Sequence, residues 1–241
     1  MGSNEFNIIL KNQSTKLINQ ELNDKQLQNF YQYMKLLIEW NKKMNLTAIT
    51  EENEIISKHF IDSLSIIPYI NDNSNVIDIG TGAGFPGIPI KIFNNILNIT
   101  LLDSLNKRIN FLNEVIEVLQ LNNIRTIHSR VEDVANNKEY REKYDIATSR
   151  AVASLNVLLE YMLPLVKVGG KCICMKGSNV EQEIEESNNA LNILGGKIVD
   201  IVNLTLPNTD NKRNIIIIEK IKNTPNKYPR KAGIPGKNPI V

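Results

Sequence analysis

The chain has 241 residues, of which 42% are hydrophobic, and its formal net charge is +2. A chain of this length and apolar content can bury a full core, so we expect one large domain with a small appendage. The mild charge excludes a global polycation, and any contact with nucleic acid must come from local basic patches.

Residues 1–70 are predicted to form a helical segment. The run Asn23-Asp-Lys-Gln26 matches a capping box, in which two side chains bond each other's backbone N–H groups at a helix start. Apolar residues recur at helical spacing after it. A further helix is expected to begin near Thr50 and to end at Pro68, because proline cannot continue a helix.

Residues 71–221 alternate between strand and helix signals and form the second predicted region. Five strand–helix units come first, and only a short loop separates the last two strands, so we expect that pair to be antiparallel. The pattern predicts an α/β fold, with a Rossmann-like, mostly parallel seven-stranded sheet and one antiparallel strand. The predicted strands are Val76–Ile79, Ile99–Leu102, Ile124–His128, Tyr144–Thr148, Lys171–Met175, Lys197–Leu204 and Asn214–Ile221.

Two helices between these strands are the clearest. One follows Ser104, which is expected to be its N-cap, and carries apolar residues at helical spacing through Leu119. The other spans Glu181 to Leu194. It is expected to end at Gly195, because glycine most easily adopts the left-handed conformation common at helix ends.

The chain has two cysteines and two histidines. Cys172 and Cys174 share one face of the predicted fifth strand and are expected to pack in the core, since a metal site needs more ligands than these. His128, alone on a strand, is expected to be structural. The sequence shows neither a secretory signal nor an apolar run of transmembrane length. We therefore expect a cytoplasmic protein with no membrane segment and no metal.

The segment Val76-Ile-Asp-Ile-Gly-Thr-Gly-Ala-Gly-Phe-Pro-Gly87 carries a strong functional signal, because a buried strand leads through a glycine-dense loop into a helix. Such a loop lets the backbone approach a nucleotide closely. Read from Gly82, it fits the dinucleotide fingerprint, with Asp103 placed to hold a ribose. Read from Asp78, it fits the S-adenosylmethionine loop of Rossmann-like methyltransferases. A ligand-free turn is disfavoured, since four glycines in eight residues weaken a fold. The loop alone leaves both cofactors open.

Residues 222–241 are predicted to be a basic tail. They include five lysines and arginines, four prolines, two glycines and no acidic residue. This composition fits a solvated tail, or one that contacts RNA phosphates while Tyr228 stacks on a base. We expect removal of residues 223–241 to weaken RNA binding and to leave cofactor affinity nearly intact. A loss of cofactor binding would instead identify the tail as a structural strap.

Seven pieces of sequence, in order from Trp40 nearly to the end, match a known family. They are Trp40-Asn-Lys-Lys-Met-Asn-Leu-Thr-Ala-Ile49, His59-Phe-Ile-Asp-Ser-Leu64, Asp78-Ile-Gly-Thr-Gly-Ala-Gly-Phe-Pro-Gly-Ile-Pro89, Leu102-Asp-Ser-Leu-Asn-Lys-Arg108, Ser129-Arg-Val-Glu-Asp133, Ser149-Arg-Ala-Val-Ala-Ser154 and Tyr228-Pro-Arg-Lys-Ala-Gly-Ile-Pro-Gly-Lys237. On these pieces the chain resembles the bacterial glucose-inhibited division protein B family, also called ribosomal RNA small-subunit methyltransferase G. The resemblance implies a class I S-adenosylmethionine-dependent methyltransferase fold. It also implies methyl transfer to N7 of a guanine in 16S rRNA near the decoding centre, with S-adenosylhomocysteine as the product.

The resemblance also assigns site residues. Arg150, just past the fourth predicted strand, is implied to be the active-site residue near the methyl donor, with a structural ion pair as its alternative. Asp103 is implied to hold the ribose, with a helix-start charge as its alternative. For Phe85 and Glu132 the alternatives are a core residue and a surface acid. The implied cofactor-binding residues are Gly80, Gly82, Gly84, Phe85, Asp103, Val131, Glu132 and Arg150.

The implied partner is 16S rRNA or the small ribosomal subunit, and nothing in the sequence requires more than a monomer. His59, Asp62 and Ser63 share one face of a predicted helix, and this common spacing favours a packing network over catalysis. The candidate RNA-binding residues are His59, Lys176, Tyr228, Arg230, Lys231 and Lys237.

Guanine N7 carries a free lone pair, so the implied reaction needs positioning and desolvation rather than an essential general base. Arg150 is therefore expected to act by positioning, and Arg150 or Lys176 is the expected donor to guanine O6. Three alternatives remain. They are an NAD(P)-dependent oxidoreductase that uses the same glycine loop, a methyltransferase that acts on a small molecule, and an RNA-binding protein without catalytic activity.

Overall fold

Seven strands form one sheet. They are β1 (Asn75–Ile79), β2 (Asn98–Asp103), β3 (Ile124–His128), β4 (Tyr144–Arg150), β5 (Val166–Lys176), β6 (Gly196–Thr205) and β7 (Lys212–Lys220). Their order is β3-β2-β1-β4-β5-β7-β6. Strands β1 to β5 are parallel, and β7 lies antiparallel between β5 and β6. The predicted α/β sheet with one antiparallel strand is confirmed.

Helices cover both faces of this sheet. The computed structural model describes residues 1–177 and 180–241. Between α3 and α4 the chain stays helical as a π-helix, Ile56–Ile61, and a 3-10 turn, Ile67–Tyr69, follows α4. The α-helices are α1 (Ser3–Ile18), α2 (Asp24–Asn41), α3 (Glu52–Ile55), α4 (Asp62–Leu64), α5 (Gly87–Phe93), α6 (Asn106–Val118), α7 (Val131–Asn136), α8 (Leu155–Met162), α9 (Glu181–Glu186), α10 (Asn188–Leu194) and α11 (Ile234–Lys237).

The apolar core lies in two layers, one on each face of the sheet. In β1, Val76 belongs to one layer while Ile77 and Ile79 belong to the other, because successive side chains of a strand point to opposite faces. The first layer packs against α1, α2, the π-helix, α5 and α6. The second packs against α7, α8, α10 and part of the tail. Burial on both faces explains why the central strands are almost continuously apolar.

The N-terminal helices pack directly over the glycine loop. The predicted capping box starts α2: the Gln26 N–H donates to Asn23 Oδ1 at 2.9 Å, and the Asn23 N–H donates to Gln26 Oε1 at 2.8 Å. Further along α2, the Tyr33 hydroxyl donates to the Ala83 carbonyl of the loop. These helices and the sheet share one apolar layer. The boundaries at residues 70 and 221 stay predictions.

Two predicted helix boundaries are wrong. The helix expected to reach Pro68 ends at Leu64, because the Ser65 N–H and hydroxyl both donate to the Asp62 carbonyl, at 3.2 and 2.6 Å. Ser104 does not cap α6, whose N-cap is Leu105. The Leu105 N–H donates instead to the preceding acid, Asp103, at 2.9 Å.

The helix predicted from Glu181 to Leu194 is divided into α9 and α10 at Ser187. The Ser187 hydroxyl donates to the Glu183 carbonyl at 2.6 Å, which competes with regular helical bonding. Gly195 ends α10 with φ 88°, as predicted. Cys172 and Cys174 are buried thiols in the second apolar layer, also as predicted.

Among the described residues, no helix is both long and apolar enough to cross a membrane. Within the same residues, no cluster of three or more His, Cys, Asp or Glu side chains is placed to hold a metal ion.

Candidate active site

A cleft of about 720 Å³ opens at the carboxyl ends of the parallel strands. Its centre lies between β1 and β4, where the strand order reverses, which is the usual ligand position in α/β sheets. The glycine loop after β1, the end of β2, the start of α7 and the residues after β4 line it. Residues from the loop before α3, the π-helix, α6, α8 and the C-terminal tail also line it.

The buried side chain of Asp78 fixes the conformation of the glycine loop. Asp78 is fully buried, and its Oδ2 accepts hydrogen bonds from the Thr81 hydroxyl at 2.6 Å and from the Gly87 N–H at 2.8 Å. Burial raises the pKa of Asp78 to about 6. At Gly82, φ is +61°, and an added Cβ would have no neighbouring atom nearer than 4.0 Å. The loop therefore leaves open space above its backbone, as a ligand cradle requires.

Asp103 lies at the end of β2, on the far side of the loop. Its carboxylate accepts the Gly82 N–H at 3.0 Å and Arg108 Nη1 at 3.1 Å, and so ties the loop to β2 and α6. Both Asp103 and Arg108 line the cleft. Among the described residues, Arg108 Nε is buried and has no hydrogen-bond partner. This corner of the cleft therefore holds a carboxylate and the partly exposed guanidinium of Arg108.

Val131 and Glu132 begin α7 and line the cleft, and their contact with the cofactor stays a prediction. The Glu132 carboxylate is buried and accepts the Gly233 N–H of the tail at 2.9 Å. Gly233 and Gly236 also line the cleft, next to Tyr161 of α8. The tail is thus part of the wall beside Val131 and Glu132. The sequence pattern gave no sign of Tyr161, whereas both glycines lie in the matched tail piece.

Arg150 ends β4 and is held by three groups of the helical segment. Its Nη1 donates to the Lys58 carbonyl at 2.9 Å and lies 3.3 Å from Asp62 Oδ2, and its Nη2 donates to His59 Nδ1 at 2.9 Å. The guanidinium carbon also lies 4.9 Å from the ring centroid of Phe85. The structural ion pair considered from the sequence is therefore present, and it lies in the cleft lining.

His59 is a neutral residue in this arrangement. Its ring stacks on Phe85, with centroids 4.3 Å apart and an interplanar angle of 15°. Burial, and then the positive charge of Arg150, lower the pKa of His59 to about 3. The packing network predicted from the helix spacing is confirmed: the Ser63 hydroxyl donates to the His59 carbonyl at 2.6 Å, and Asp62 binds both Arg150 and Arg213.

The candidate RNA-binding residues differ in how far they are engaged within the protein. Lys176 Nζ donates to Glu183 at 2.6 Å and to the Ala153 carbonyl at 2.7 Å, and Arg230 pairs with a buried glutamate. His59 is buried and Tyr228 is half-buried, whereas Lys231 and Lys237 are exposed. The RNA contacts of all six stay predictions.

The tail is an ordered strap along α7 and α8. The Glu160 carboxylate of α8 accepts the Arg230 backbone N–H at 2.8 Å, Nε at 2.9 Å and Nη2 at 2.6 Å. Arg141 donates to the carbonyls of Thr224 and Tyr228 at 2.9 and 2.8 Å. The solvated tail considered from composition is therefore wrong, because its backbone groups find partners on the protein surface.

Comparison with known proteins gives a consistent result. A family model described as rRNA small subunit methyltransferase G matches residues 26–216. A protein of Acetivibrio thermocellus named ribosomal RNA small subunit methyltransferase G is 60% identical over 91% of this chain and 91% of its own. A protein of the same name from Desulforamulus reducens is 52% identical over 99% of this chain and 100% of its own.

Solved structures show a similar fold at low sequence identity. A structure of M. jannaschii TYW2 in complex with AdoMet has a TM-score of 0.53 and 17% identity, over 67% of this chain and 76% of that one. A SAM-dependent methyltransferase from Aquifex aeolicus has a TM-score of 0.53 and 14% identity, over 76% of this chain and 98% of that one.

Proposed function

The chain belongs to the rRNA small subunit methyltransferase G family, and we propose that it transfers the methyl group of S-adenosylmethionine to N7 of one guanine in 16S rRNA, near the decoding centre. The observation that carries the proposal is the open backbone at Gly82, hydrogen-bonded to the Asp103 carboxylate in the lining of a cleft at the switch point of the sheet. Family membership favours this function over the oxidoreductase and small-molecule alternatives.

The lining of the cleft fits S-adenosylmethionine. The Asp103 carboxylate suits the ribose hydroxyls, and the start of α7 with the tail glycines suits the adenine. The bound cofactor supplies an electrophilic methyl group on a sulfonium. Arg150 and Phe85 lie at the β4 end of the cleft, where we place the reacting groups.

The residues at that end favour positioning over proton transfer. Guanine N7 attacks with a lone pair that carries no proton, so no base must be deprotonated first. His59 is neutral and already uses both ring nitrogens in hydrogen bonds within the protein. The Arg150 charge is opposed by Asp62 at 3.3 Å, which lessens its repulsion of the cation that forms on the methylated base.

The test is label transfer from methyl-tritiated S-adenosylmethionine to small-subunit rRNA that lacks its native methylations, offered both naked and as assembled subunits. We expect label at a single N7-methylguanine, mapped by aniline-sensitive cleavage. Gly82→Val is the control, because it strains a positive φ and fills the cleft. Binding of the cofactor without methyl transfer to RNA would contradict RNA as the acceptor. A change in NADH fluorescence on mixing with the protein would favour the oxidoreductase.

The rate of methyl transfer is expected to be nearly independent of pH between about 6.5 and 9. The reason is that His59, with its pKa near 3, stays neutral across this range, and no group has to lose a proton. The measurement is single-turnover transfer at saturating RNA and cofactor. A bell-shaped profile with a limb near pH 6.5 would contradict this view; loss of that limb in His59→Gln would make His59 the base, whereas its persistence would assign the limb to Asp78, whose pKa is about 6.

The same pKa of His59 has a consequence for folding. In the unfolded chain His59 is protonated below about pH 6.5, whereas in the folded chain it stays neutral down to about pH 3. The contribution of His59 to stability is therefore present above pH 6.5 and is lost progressively as the pH falls towards 3.

For partner and location, we propose that the substrate is 16S rRNA or the small ribosomal subunit, bound by a monomer in the cytoplasm. Lys231 and Lys237 are exposed and lie close in sequence to Gly233 and Gly236 of the cleft lining, which supports an RNA partner.

A further inference from the structure

The loop between α2 and α3 is fixed where it enters the cleft. Asn41, at the end of α2, accepts the N–H groups of Leu46 and Thr47 at 2.8 and 3.0 Å and donates to the Thr47 carbonyl at 2.9 Å. One side chain therefore sets the backbone position of Thr47. Leu46, Thr47 and His59 line the cleft from the helical segment.

The hydrogen positions around Thr47 follow from Arg150. A guanidinium has only donors, so the 2.9 Å contact from Arg150 Nη2 makes His59 Nδ1 an acceptor. In the neutral ring, Nε2 then carries the hydrogen and donates to Thr47 Oγ1 at 2.8 Å. The Ile49 N–H donates to the same oxygen at 3.1 Å.

The Thr47 hydroxyl can therefore only donate further. Both of its acceptor sites are used, by His59 and Ile49, and its hydrogen has no acceptor among residues 1–177 and 180–241. The hydrogen bonds that run from Arg150 through His59 to Thr47 thus end in one hydroxyl that can act only as a donor, at the wall of the cleft. Each bond in such a chain polarises the next and strengthens the final donor.

Thr47 lies at the β4 end of the cleft, where we place the reacting groups. The proposed adenine and ribose contacts, Val131 and Asp103, lie towards β3 and β2, whereas Thr47 is joined through His59 to Arg150 at the end of β4. Guanine presents N7 and O6 as neighbouring acceptors on one edge, and a donor to O6 leaves the N7 lone pair free.

We propose that Thr47 selects and orients the guanine by donating its hydroxyl hydrogen to O6, an inference that rests on the proposed function. Adenine carries an amino group at this position, and Thr47 has no free acceptor site for it. Thr47 therefore sets the base specificity of the site and also orients N7 towards the methyl group. It takes the role expected from the sequence for Arg150 or Lys176, whose side chains are held by partners within the protein.

The first test compares Thr47→Val with Thr47→Ser. Valine has the same shape without the hydroxyl, and serine keeps the donor. We expect valine to lower kcat/KM for RNA methylation by about 10- to 100-fold, serine by less than about threefold, and neither to change the dissociation constant of S-adenosylmethionine more than about twofold. Equal losses for both variants, or a loss of cofactor affinity with valine, would overturn the proposal.

The second test removes guanine O6, the proposed partner of Thr47 on the RNA. It is needed because Thr47→Val also leaves the His59 and Ile49 donors unpaired. An RNA with 2-aminopurine at the target position keeps N7 and lacks O6. We expect the wild-type protein to lose about as much activity on it as Thr47→Val loses on guanine, and the variant to lose little more. Additive losses would contradict a direct contact. If the wild-type protein methylates no RNA at all, it is the proposed function that fails.

Discussion

Replacing Arg150 with methionine is expected to lower the rate of methyl transfer to RNA by about 100- to 1000-fold, with S-adenosylmethionine affinity changed by less than about threefold. The guanidinium fixes the tautomer of His59 and, through it, the donor of Thr47. Without it, either ring nitrogen of His59 can carry the hydrogen, and Thr47 is no longer restricted to donating. The measurement pairs single-turnover kinetics with equilibrium dialysis of labelled cofactor.

Arg150→Lys is the matched control, since it keeps the charge and loses the planar fork. An ammonium cannot reach the Lys58 carbonyl, Asp62 and His59 together from one position, so we expect an intermediate loss of rate. Asp62 keeps Arg213 as a second cation, at 3.2 Å, and the fold should survive both substitutions. If Arg150→Met abolishes cofactor binding, Arg150 instead pairs with the methionine carboxylate of the cofactor.

The sequence predicts those parts of the site that are built from neighbouring residues. Strand, glycine loop and helix follow one another between Val76 and Phe93, so the cradle at Gly82 is visible as a pattern. The position of Asp103 also follows, because the carboxyl ends of adjacent parallel strands meet at one edge.

The rest of the site depends on contacts that no spacing encodes. Arg150 and His59 are 91 residues apart, and Arg230 and Glu160 are 70 apart, yet each pair is in direct hydrogen-bonding contact. The helix that carries His59 is locally a π-helix, whereas the spacing argument assumed α-helical geometry. Composition left a solvated tail and an RNA-contacting tail both open, because charges and prolines cannot show that Arg230 pairs with the buried Glu160.

The ordered tail changes the result expected on its removal. Truncation after residue 222 should weaken S-adenosylmethionine binding at least tenfold, because Gly233 and Gly236 form part of the cleft wall and Gly233 holds the Glu132 carboxylate. The initial expectation, that only RNA binding suffers, would be right if truncation lowered RNA affinity and its salt dependence while cofactor affinity stayed unchanged. The double variant Lys231→Gln with Lys237→Gln is the matched surface control. It should lower RNA affinity and leave cofactor affinity unchanged.

A single substitution, Arg230→Met, should reproduce most of this effect. Glu160 is 1% exposed, and losing the guanidinium leaves a buried carboxylate with one backbone donor, so we expect the free energy of unfolding to fall by about 3 kcal/mol. Cofactor affinity should fall with it, as the tail leaves α8. The double variant Glu160→Leu with Arg230→Met removes the uncompensated charge and fills the site with apolar side chains. It should regain stability and cofactor affinity together, as measured by chemical denaturation and equilibrium dialysis. If stability returns without cofactor affinity, the ion pair orders the tail at the cleft specifically, rather than through general stability.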